Sequence, residues 1–210
     1  MVYDLTHLIK GDIQVWPGTP GPRIEELFTV ATHGFMESGL HLVSHTGTHI
    51  DAPAHMLKDG LTLDRFNISA FTGLAIKIDL THRLRVIEEE DLAVLQNPGF
   101  KVEWVLLHTG WSRYWGHPAY FGPYPVLTEK AALLLTNFSL KGIAIDAPSF
   151  DTFDSPDYPN HRRLLGKNIL LVENLRGLEP LPAGHLIGFS ALPLHYRKAD
   201  GAPVRAMAVI

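Results

Sequence analysis

Residues 45–55 read H-T-G-T-H-I-D-A-P-A-H, which places three histidines and an aspartate within one short segment. In a β-strand every second side chain points to the same face, and His45, His49 and Asp51 all have odd numbers. In an α-helix the two histidines would share a face, but Asp51 would lie about 200° round from His49. Only the strand lets all three converge. The segment therefore predicts a strand that ends at Pro53, because proline has no N–H to give to a ladder.

Two imidazoles and a carboxylate on one face are suitable ligands for a divalent metal. Burying such a polar cluster without a metal or other partners would be costly, which favours a metal site over an ordinary strand. Gly47, between the two histidines, leaves room over the metal. The turn after the strand can return His55 to the same place. The segment thus predicts a metal site built on His45, His49 and Asp51.

Two residues far along the chain are candidates for further ligands. His161 lies at the start of a short helical pattern, and Glu173 closes the apolar run that begins at Ile169. Taken alone, each residue could equally well be a metal ligand or an ordinary surface residue. Together with the first cluster they would complete a second metal position, with Asp51 bridging. His108 also closes a buried run and is a weaker candidate for lining the site.

The composition limits the class of protein. The chain has 210 residues, 46% of them hydrophobic, so it can bury a large core and fits one domain over residues 1–210. The formal charge of -4 gives no basic footprint of a nucleic-acid binder. The absence of cysteine excludes disulfides and Cys-ligated zinc. With no signal peptide and no run of about 18 apolar residues, we expect a cytoplasmic protein without a membrane partner.

The pattern of apolar runs predicts a strand-rich fold. Six runs rich in Val, Ile and Leu cover residues 75–80, 104–108, 143–146, 169–173, 187–194 and 204–210. Helical patterns cover residues 88–95, 128–135 and 161–165. Thr128 is a good N-cap for the second, and Gly166 stops the third. We expect a mixed α/β fold with a strand-rich, partly closed central sheet and a few outer helices.

The eleven residues 45–55 resemble the signature of the cyclase family of metal-dependent hydrolases, which includes the bacterial kynurenine formamidases and isatin hydrolases. Similar segments are D-L-T-H at residues 4–7, V-W-P-G-T-P at 15–20, L-L-H-T-G-W at 106–111, G-I-A-I-D-A-P-S-F-D at 142–151 and G-A-P-V-R-A at 201–206. The resemblance covers nearly the whole chain. It implies a swivelling β/β/α domain and a homodimer or larger homo-oligomer.

The resemblance also implies roles for particular residues. The implied ligands of one or two divalent ions, zinc in first place and manganese in second, are His45, His49, Asp51, His161 and Glu173. His55 would be the catalytic proton donor and acceptor. Trp16 resembles a tryptophan that contacts the aromatic substrate in the formamidases. The implied reaction is hydrolysis of an amide or formamide C–N bond of a small aromatic substrate by metal-activated water, as in the conversion of N-formylkynurenine to kynurenine and formate.

Some alternatives stay open at this point. After Gly110 the chain has a long aromatic loop, residues 111–124, which departs from what we expect of a kynurenine formamidase. Its aromatic side chains either pack the loop or line a pocket. The substrate is therefore open and includes a cyclic amide or lactone such as isatin. Two histidines and a carboxylate are also the triad of non-haem iron oxygenases. A metal-binding module without catalysis is a third class, although His55 and Glu173 are superfluous to simple three-ligand binding.

Overall fold

The computed structural model describes residues 1–97, 99 and 101–210. The strands in these residues are β1 Val2–Asp4, β2 Arg23–Phe28, β3 Glu37–His41, β4 His49–Asp51, β5 Thr72–Asp79, β6 Val86–Ile87, β7 Trp104–His108, β8 Val126–Leu127, β9 Gly142–Ile145, β10 Leu170–Glu173, β11 Leu186–Pro193 and β12 Gly201–Val209. The α-helices are α1 Val30–His33, α2 Glu129–Leu135 and α3 Pro159–Leu165. Within this described part, no helix has both the length and the apolar character needed to cross a membrane.

All six predicted strands are confirmed, as β5, β7, β9, β10, β11 and β12, with ends shifted by a few residues. The helical pattern at residues 88–95 is a 3₁₀ helix, Glu89–Gln96. Thr128 caps α2 as predicted, because its side chain accepts a hydrogen bond from the backbone N–H of Ala131. The last helix, α3, ends at Gly166. Local sequence signals therefore located most of the regular structure.

Seven strands form a closed ring in the order β12, β11, β5, β7, β9, β10, β4, and β4 pairs with β12 again. The short strand β1 adds to the outside of β12. The strands β5, β7, β9 and β10 run parallel, and the other pairings in the ring are antiparallel. The predicted mixed α/β fold with a strand-rich central sheet is confirmed. The sheet is closed rather than partly closed, because β4 bridges the gap between β10 and β12.

The two faces of the ring carry separate apolar clusters. One face buries Trp104, Leu106, Val172 and Phe189 among other strand residues, with the rings of Trp104 and Phe189 5.1 Å apart. The other face packs against α2, α3 and the 3₁₀ helix. Side chains that alternate along a strand therefore enter different surroundings. The helices cover one face and leave its edge, near β4 and β10, for polar side chains.

Two small sheets lie outside the ring. The strands β2 and β3 form an antiparallel hairpin, and β6 pairs in parallel with β8. The hairpin is largely exposed and carries α1 at its tip. Neither small sheet was predicted. The strands of the hairpin are exposed and have no continuous apolar run, whereas β6 and β8 have only two residues each.

Candidate metal centre

The strand β4 supplies two of the predicted ligands. It lies between β10 and β12, with His49 opposite Glu173 and Asp51 opposite Leu171. Ile50 belongs to the apolar cluster on one face of the ring, so its two neighbours point to the other face. His49 Nε2 lies 3.4 Å from Asp51 Oδ1 and 3.4 Å from Glu173 Oε2. All three side chains are buried.

His45 reaches the same place from a turn and not from a strand. The predicted strand over residues 45–51 is wrong in its first half, because Gly47 has a φ of 65° and turns the chain before His49. The Cβ that Gly47 lacks would meet Ile13, so its place reflects the turn rather than room over a metal. His45 Nδ1 nevertheless lies 2.6 Å from Asp51 Oδ1. The convergence that alternation predicted is achieved by a different backbone path.

The helix α3 supplies His161. Its Nε2 lies 3.0 Å from Glu173 Oε1 and 3.8 Å from Asp51 Oδ2. Among the described residues, three groups of three side chains have possible ligand atoms within 4.8 Å of one another. They are His45, His49 and Asp51; Asp51, His161 and Glu173; and the half-buried group of His45, His55 and Asp200. Asp51 belongs to the two more deeply buried groups.

The buried carboxylate of Asp51 is the observation that tests whether a metal fits. Both of its oxygens are buried and make no hydrogen bond among the described residues, and its near polar neighbours are imidazole nitrogens, such as His45 Nδ1 at 2.6 Å and His49 Nε2 at 3.4 Å from Oδ1. A buried carboxylate in such surroundings is costly, whereas a divalent cation would be a partner shared by the carboxylate and the imidazoles. Imidazole nitrogens and carboxylate oxygens are the donors that zinc and manganese accept. The side chains present therefore fit a divalent metal.

In each of these three histidines the second ring nitrogen makes a hydrogen bond. The contacts are His49 Nδ1 to the Gly47 carbonyl at 2.8 Å, His161 Nδ1 to Asp151 Oδ2 at 2.7 Å and His45 Nε2 to Asp200 Oδ2 at 3.1 Å. A hydrogen bond at one nitrogen fixes which nitrogen carries the lone pair, and metal-binding histidines show this arrangement. The other ring nitrogen of each histidine, which a metal would bind, thereby faces Asp51 or Glu173.

The surrounding charges shift the pKa values of two histidines. Burial lowers the pKa of His45, but Asp51 and Asp200 outweigh burial and raise it to about 10. Burial likewise lowers the pKa of His161, and its carboxylate neighbours, Asp151 first among them, raise it to about 10. Without a cation, the cluster therefore holds protons at the positions that a metal would take.

His55 stands beside both groups that contain Asp51 and belongs to the third, half-buried group with His45 and Asp200. It ends a 3₁₀ helix, Pro53–His55, that follows β4 directly. Its ring centre lies 4.0 Å from that of His45 and 6.3 Å from that of His161. Burial lowers the pKa of His55, so the ring is neutral at neutral pH. A neutral imidazole at this place is able to accept a proton.

The histidines open onto a cavity of about 260 Å³ with aromatic walls. Trp16 lines it and packs against Phe121 and Phe153, with ring centres 5.6 and 5.1 Å away. Trp115 and Tyr120 line the same cavity. The cavity therefore joins polar ligand groups to flat apolar surfaces of the kind that hold a planar small molecule.

The aromatic loop, residues 111–124, serves both purposes that the sequence left open. Trp115, Tyr120 and Phe121 line the cavity, whereas Trp111 and Tyr124 pack into the apolar core. The Trp111 indole donates a hydrogen bond to the Tyr120 carbonyl at 2.8 Å, so the packed half holds the lining half in place.

The model of the Cyclase family matches residues 3–152 of the chain. This chain belongs to the Cyclase family. It is 32% identical over 205 residues to the kynurenine formamidase of Bacillus anthracis, covering 97% of this chain and 95% of that protein. Isatin hydrolase A from Labrenzia aggregata is similar in structure at a TM-score of 0.88 and 27% identity, covering 100% and 93% of the two chains. A structure described as a potential metal-dependent hydrolase with cyclase activity has a TM-score of 0.81 and 28% identity, covering 99% and 96%.

One expectation about this Cyclase chain is wrong. His108 does not line the cavity, although it closes a buried run as predicted. It lies at the end of β7, 4.0 Å from Asp79 and 3.9 Å from Glu179. Six other histidines are exposed and lie outside the site. They are His33, His41, His82, His117, His185 and His195.

Sequence reasoning missed three polar residues around the site. Asp151 and Asp200 contact histidines, and Asn174 donates to the Gly47 carbonyl at 2.9 Å while accepting from the buried Tyr120 hydroxyl at 2.7 Å. A signal existed for the two aspartates. Asp151 ends one of the segments that resemble the Cyclase family, and Asp200 directly precedes another.

Proposed function

We propose that this member of the Cyclase family is a metal-dependent hydrolase that cleaves the C–N bond of an amide or formamide in a small aromatic substrate. N-formylkynurenine, which would give kynurenine and formate, is the first candidate. The carrying observation is that two ligand groups sharing the buried Asp51 open onto a cavity with aromatic walls. The kynurenine formamidase relative, at 32% identity, supports the choice of bond.

The metal would be held by five side chains on four separate segments. They are His45, His49 and Asp51 for one ion, and Asp51, His161 and Glu173 for a second. We propose zinc in first place and manganese in second, because both accept this mixture of imidazole and carboxylate. When bound, such an ion lowers the pKa of a bound water and polarises the carbonyl.

His55 would move the proton. Its ring lines the cavity, and burial keeps it neutral at neutral pH. The imidazole takes the proton that water loses as its oxygen bonds to the carbonyl carbon. It then gives that proton to the nitrogen as the C–N bond breaks, so that the products are an amine and a carboxylic acid. An aniline-type nitrogen leaves poorly until it is protonated, which is why a proton carrier is needed.

Trp16 would hold the aromatic part of the substrate. It is half-buried and its ring is steadied by Phe121 and Phe153. A planar ring placed against this surface gains apolar contact and an offset-stacked arrangement. The position of the ring would direct the scissile bond towards His55 and the ligand groups.

A second candidate is hydrolysis of a cyclic amide or lactone such as isatin. The structural similarity to isatin hydrolase A, at a TM-score of 0.88, favours it. The same residues would act, but ring opening gives one product and releases no formate. The products therefore separate the two candidates.

The test is a substrate screen with the metal content controlled. Metal-stripped protein is reloaded with zinc or manganese and assayed on N-formylkynurenine, isatin and a simple lactone, in air and under strict anaerobiosis. We expect turnover that depends on the added metal and is unchanged without oxygen. Turnover that requires oxygen would assign the chain to the non-haem oxygenases instead. Full turnover in the stripped protein would rule out the metal-dependent mechanism.

We also propose a small-molecule substrate and a homodimer or larger homo-oligomer as the assembly. The segment from β2 to β3 supports the assembly, because it carries six exposed apolar side chains and exposed apolar surface often marks an interface. They are Ile24, Leu27, Val30, Phe35, Met36 and Leu40. Sedimentation at several concentrations measures the assembly, and a monomer at all of them would contradict it.

A further inference from the structure

Asp200 lies next to the ligand groups at the start of β12. Its backbone carbonyl accepts a hydrogen bond from the N–H of Ala52 at 2.9 Å, directly after the ligand Asp51. This bond continues the pairing of β12 with β4. The backbone of Asp200 is therefore fixed relative to Asp51, although the two residues are distant in sequence.

The side chain of Asp200 faces two histidines. Its Oδ2 lies 3.1 Å from His45 Nε2 and 3.9 Å from His55 Nδ1, and it accepts a hydrogen bond from Ser44 Oγ at 3.2 Å. The nearer contact is a hydrogen bond, and the farther one is only an electrostatic contact. The carboxylate therefore acts first on His45.

His45 needs such a partner more than the other two histidines of the site. Its side chain is 20% exposed, against 5% for His49 and 3% for His161. It also lies in a turn, so no ladder fixes its backbone direction. Gly201 allows the ring to lie flat against β12, because a Cβ there would fall 2.5 Å from His45 Cε1. The ring is thus placed by contacts with β12 and with Asp200.

The two ring nitrogens of His45 point to opposite partners. Nδ1 lies 2.6 Å from Asp51 Oδ1, and Nε2 lies against Asp200. When Nε2 donates its hydrogen to Asp200, the lone pair stands on Nδ1 and faces the ligand group. A ring turned over would present the wrong nitrogen to the metal.

We propose that Asp200 is a positioning residue that holds His45 in the Nε2–H tautomer and so makes its Nδ1 a metal ligand. This inference rests on the proposed metal site. Asp200 is assigned as the partner of His45 and not as a ligand, although its carboxylate also lies with His45 and His55 in a third group of possible ligand atoms. Its effect is on the affinity for one ion, the ion that His45 would bind, and not on the second ion near His161.

The test measures stepwise zinc affinity by competition with a chelator in three variants of the full chain. Asp200→Ala removes the acceptor, Asp200→Asn keeps an acceptor oxygen without charge, and Asp4→Ala is the control. Asp4 has a similar side-chain exposure, 43% against 45%, and pairs with Arg205 on the same strand, β12. We expect Asp200→Ala to weaken the binding of one zinc ion by about 10- to 100-fold and to leave the affinity for the other ion unchanged. Asp200→Asn should recover most of the loss, and Asp4→Ala should bind as the wild type does.

A second measurement follows the tautomer directly. Imidazole ¹⁵N spectra of the zinc-loaded protein should place the proton of His45 on Nε2 in the wild type, and this signal should be lost in Asp200→Ala. Unchanged affinity for both ions in Asp200→Ala, equal weakening of both, or a third ion lost with Asp200 would each overturn the proposal. A wild-type chain that binds no zinc would instead contradict the proposed function.

Discussion

Asp51 is the residue on which both ligand groups depend. Its Oδ1 faces His45 and His49, and its Oδ2 faces His161. We expect Asp51→Ala to lose both ions, because Asp51 belongs to both of the ligand groups that would hold them. Elemental analysis after dialysis measures this, with the exposed Asp59→Ala as the control. A variant that keeps the wild-type metal content would contradict the role of Asp51 as a ligand.

His55 is expected to affect catalysis without affecting the metal. His55→Ala should retain the bound metal and lower kcat by roughly 100-fold or more, which is the usual effect of removing a general acid or base. Steady-state kinetics on the substrate found in the screen gives kcat, and metal analysis is made on the same sample. His117→Ala, an exposed histidine near the cavity, is the matched control. Unchanged turnover in the His55 variant would show that another group moves the proton.

The sequence identified the candidate site residues that lie in strongly patterned segments. His45, His49 and Asp51 could be grouped because three ionisable side chains lie close together in the chain. Asp200 could not be added from residue types alone, since its contact with His45 depends on how β12 pairs with β4. Long-range pairing of this kind leaves no local pattern in the chain.

At the scale of elements, apolar strands were predictable and polar or very short ones were not. A buried strand such as β7 is a continuous apolar run, which identifies it at once. The strand β4 has three residues, two of them ionisable, and its flanking glycine turn lies where the alternating pattern suggested more strand. The closure of the ring depends on β4, so the sequence indicated a partly closed sheet where the structure has a closed one.

The close packing of β9 against β7 can be tested with a substitution at Gly142. A Cβ on Gly142 would overlap the ring of Trp104 and fall 2.7 Å from the Leu170 carbonyl oxygen. We expect Gly142→Ala to lower the free energy of unfolding by roughly 1–3 kcal/mol, the usual cost of overpacking a core. Urea unfolding measures it. Gly188→Ala on β11 is the control, because its Cβ would meet Val209 at an ordinary 3.5 Å. Equal stability of the two variants would contradict the packing.

At the scale of the whole molecule, the charges of the site couple folding to pH. In the metal-stripped protein the pKa values of His45 and His161 are raised from 6.5 to about 10. A raised pKa means that the folded state binds the proton more tightly than the unfolded chain does. The resulting stability is fully present below about pH 6.5 and is lost as the pH rises towards 10.

We therefore expect the free energy of unfolding of the stripped protein to fall between pH 6.5 and 10. Urea unfolding at a series of pH values measures the fall. In His161→Gln the fall should be shallower, since one of the two titrating groups is gone. With zinc bound the histidines carry no exchangeable proton at the ligand nitrogen, and the metal binds more tightly at high pH. A stripped protein whose stability rises over this range would contradict the charge arrangement.

The double pairing of β4 has a consequence for how the protein is made. A chain leaving the ribosome presents residues 45–51 early, but the neighbours of β4 on its two sides, Glu173 and Pro203, come near the end of synthesis. Until both have emerged, the short polar strand has no ladder to join, and pairings between such distant segments form slowly. The complete set of candidate ligands can then assemble only late in synthesis, and a stalled nascent chain would hold only the first three of them, His45, His49 and Asp51.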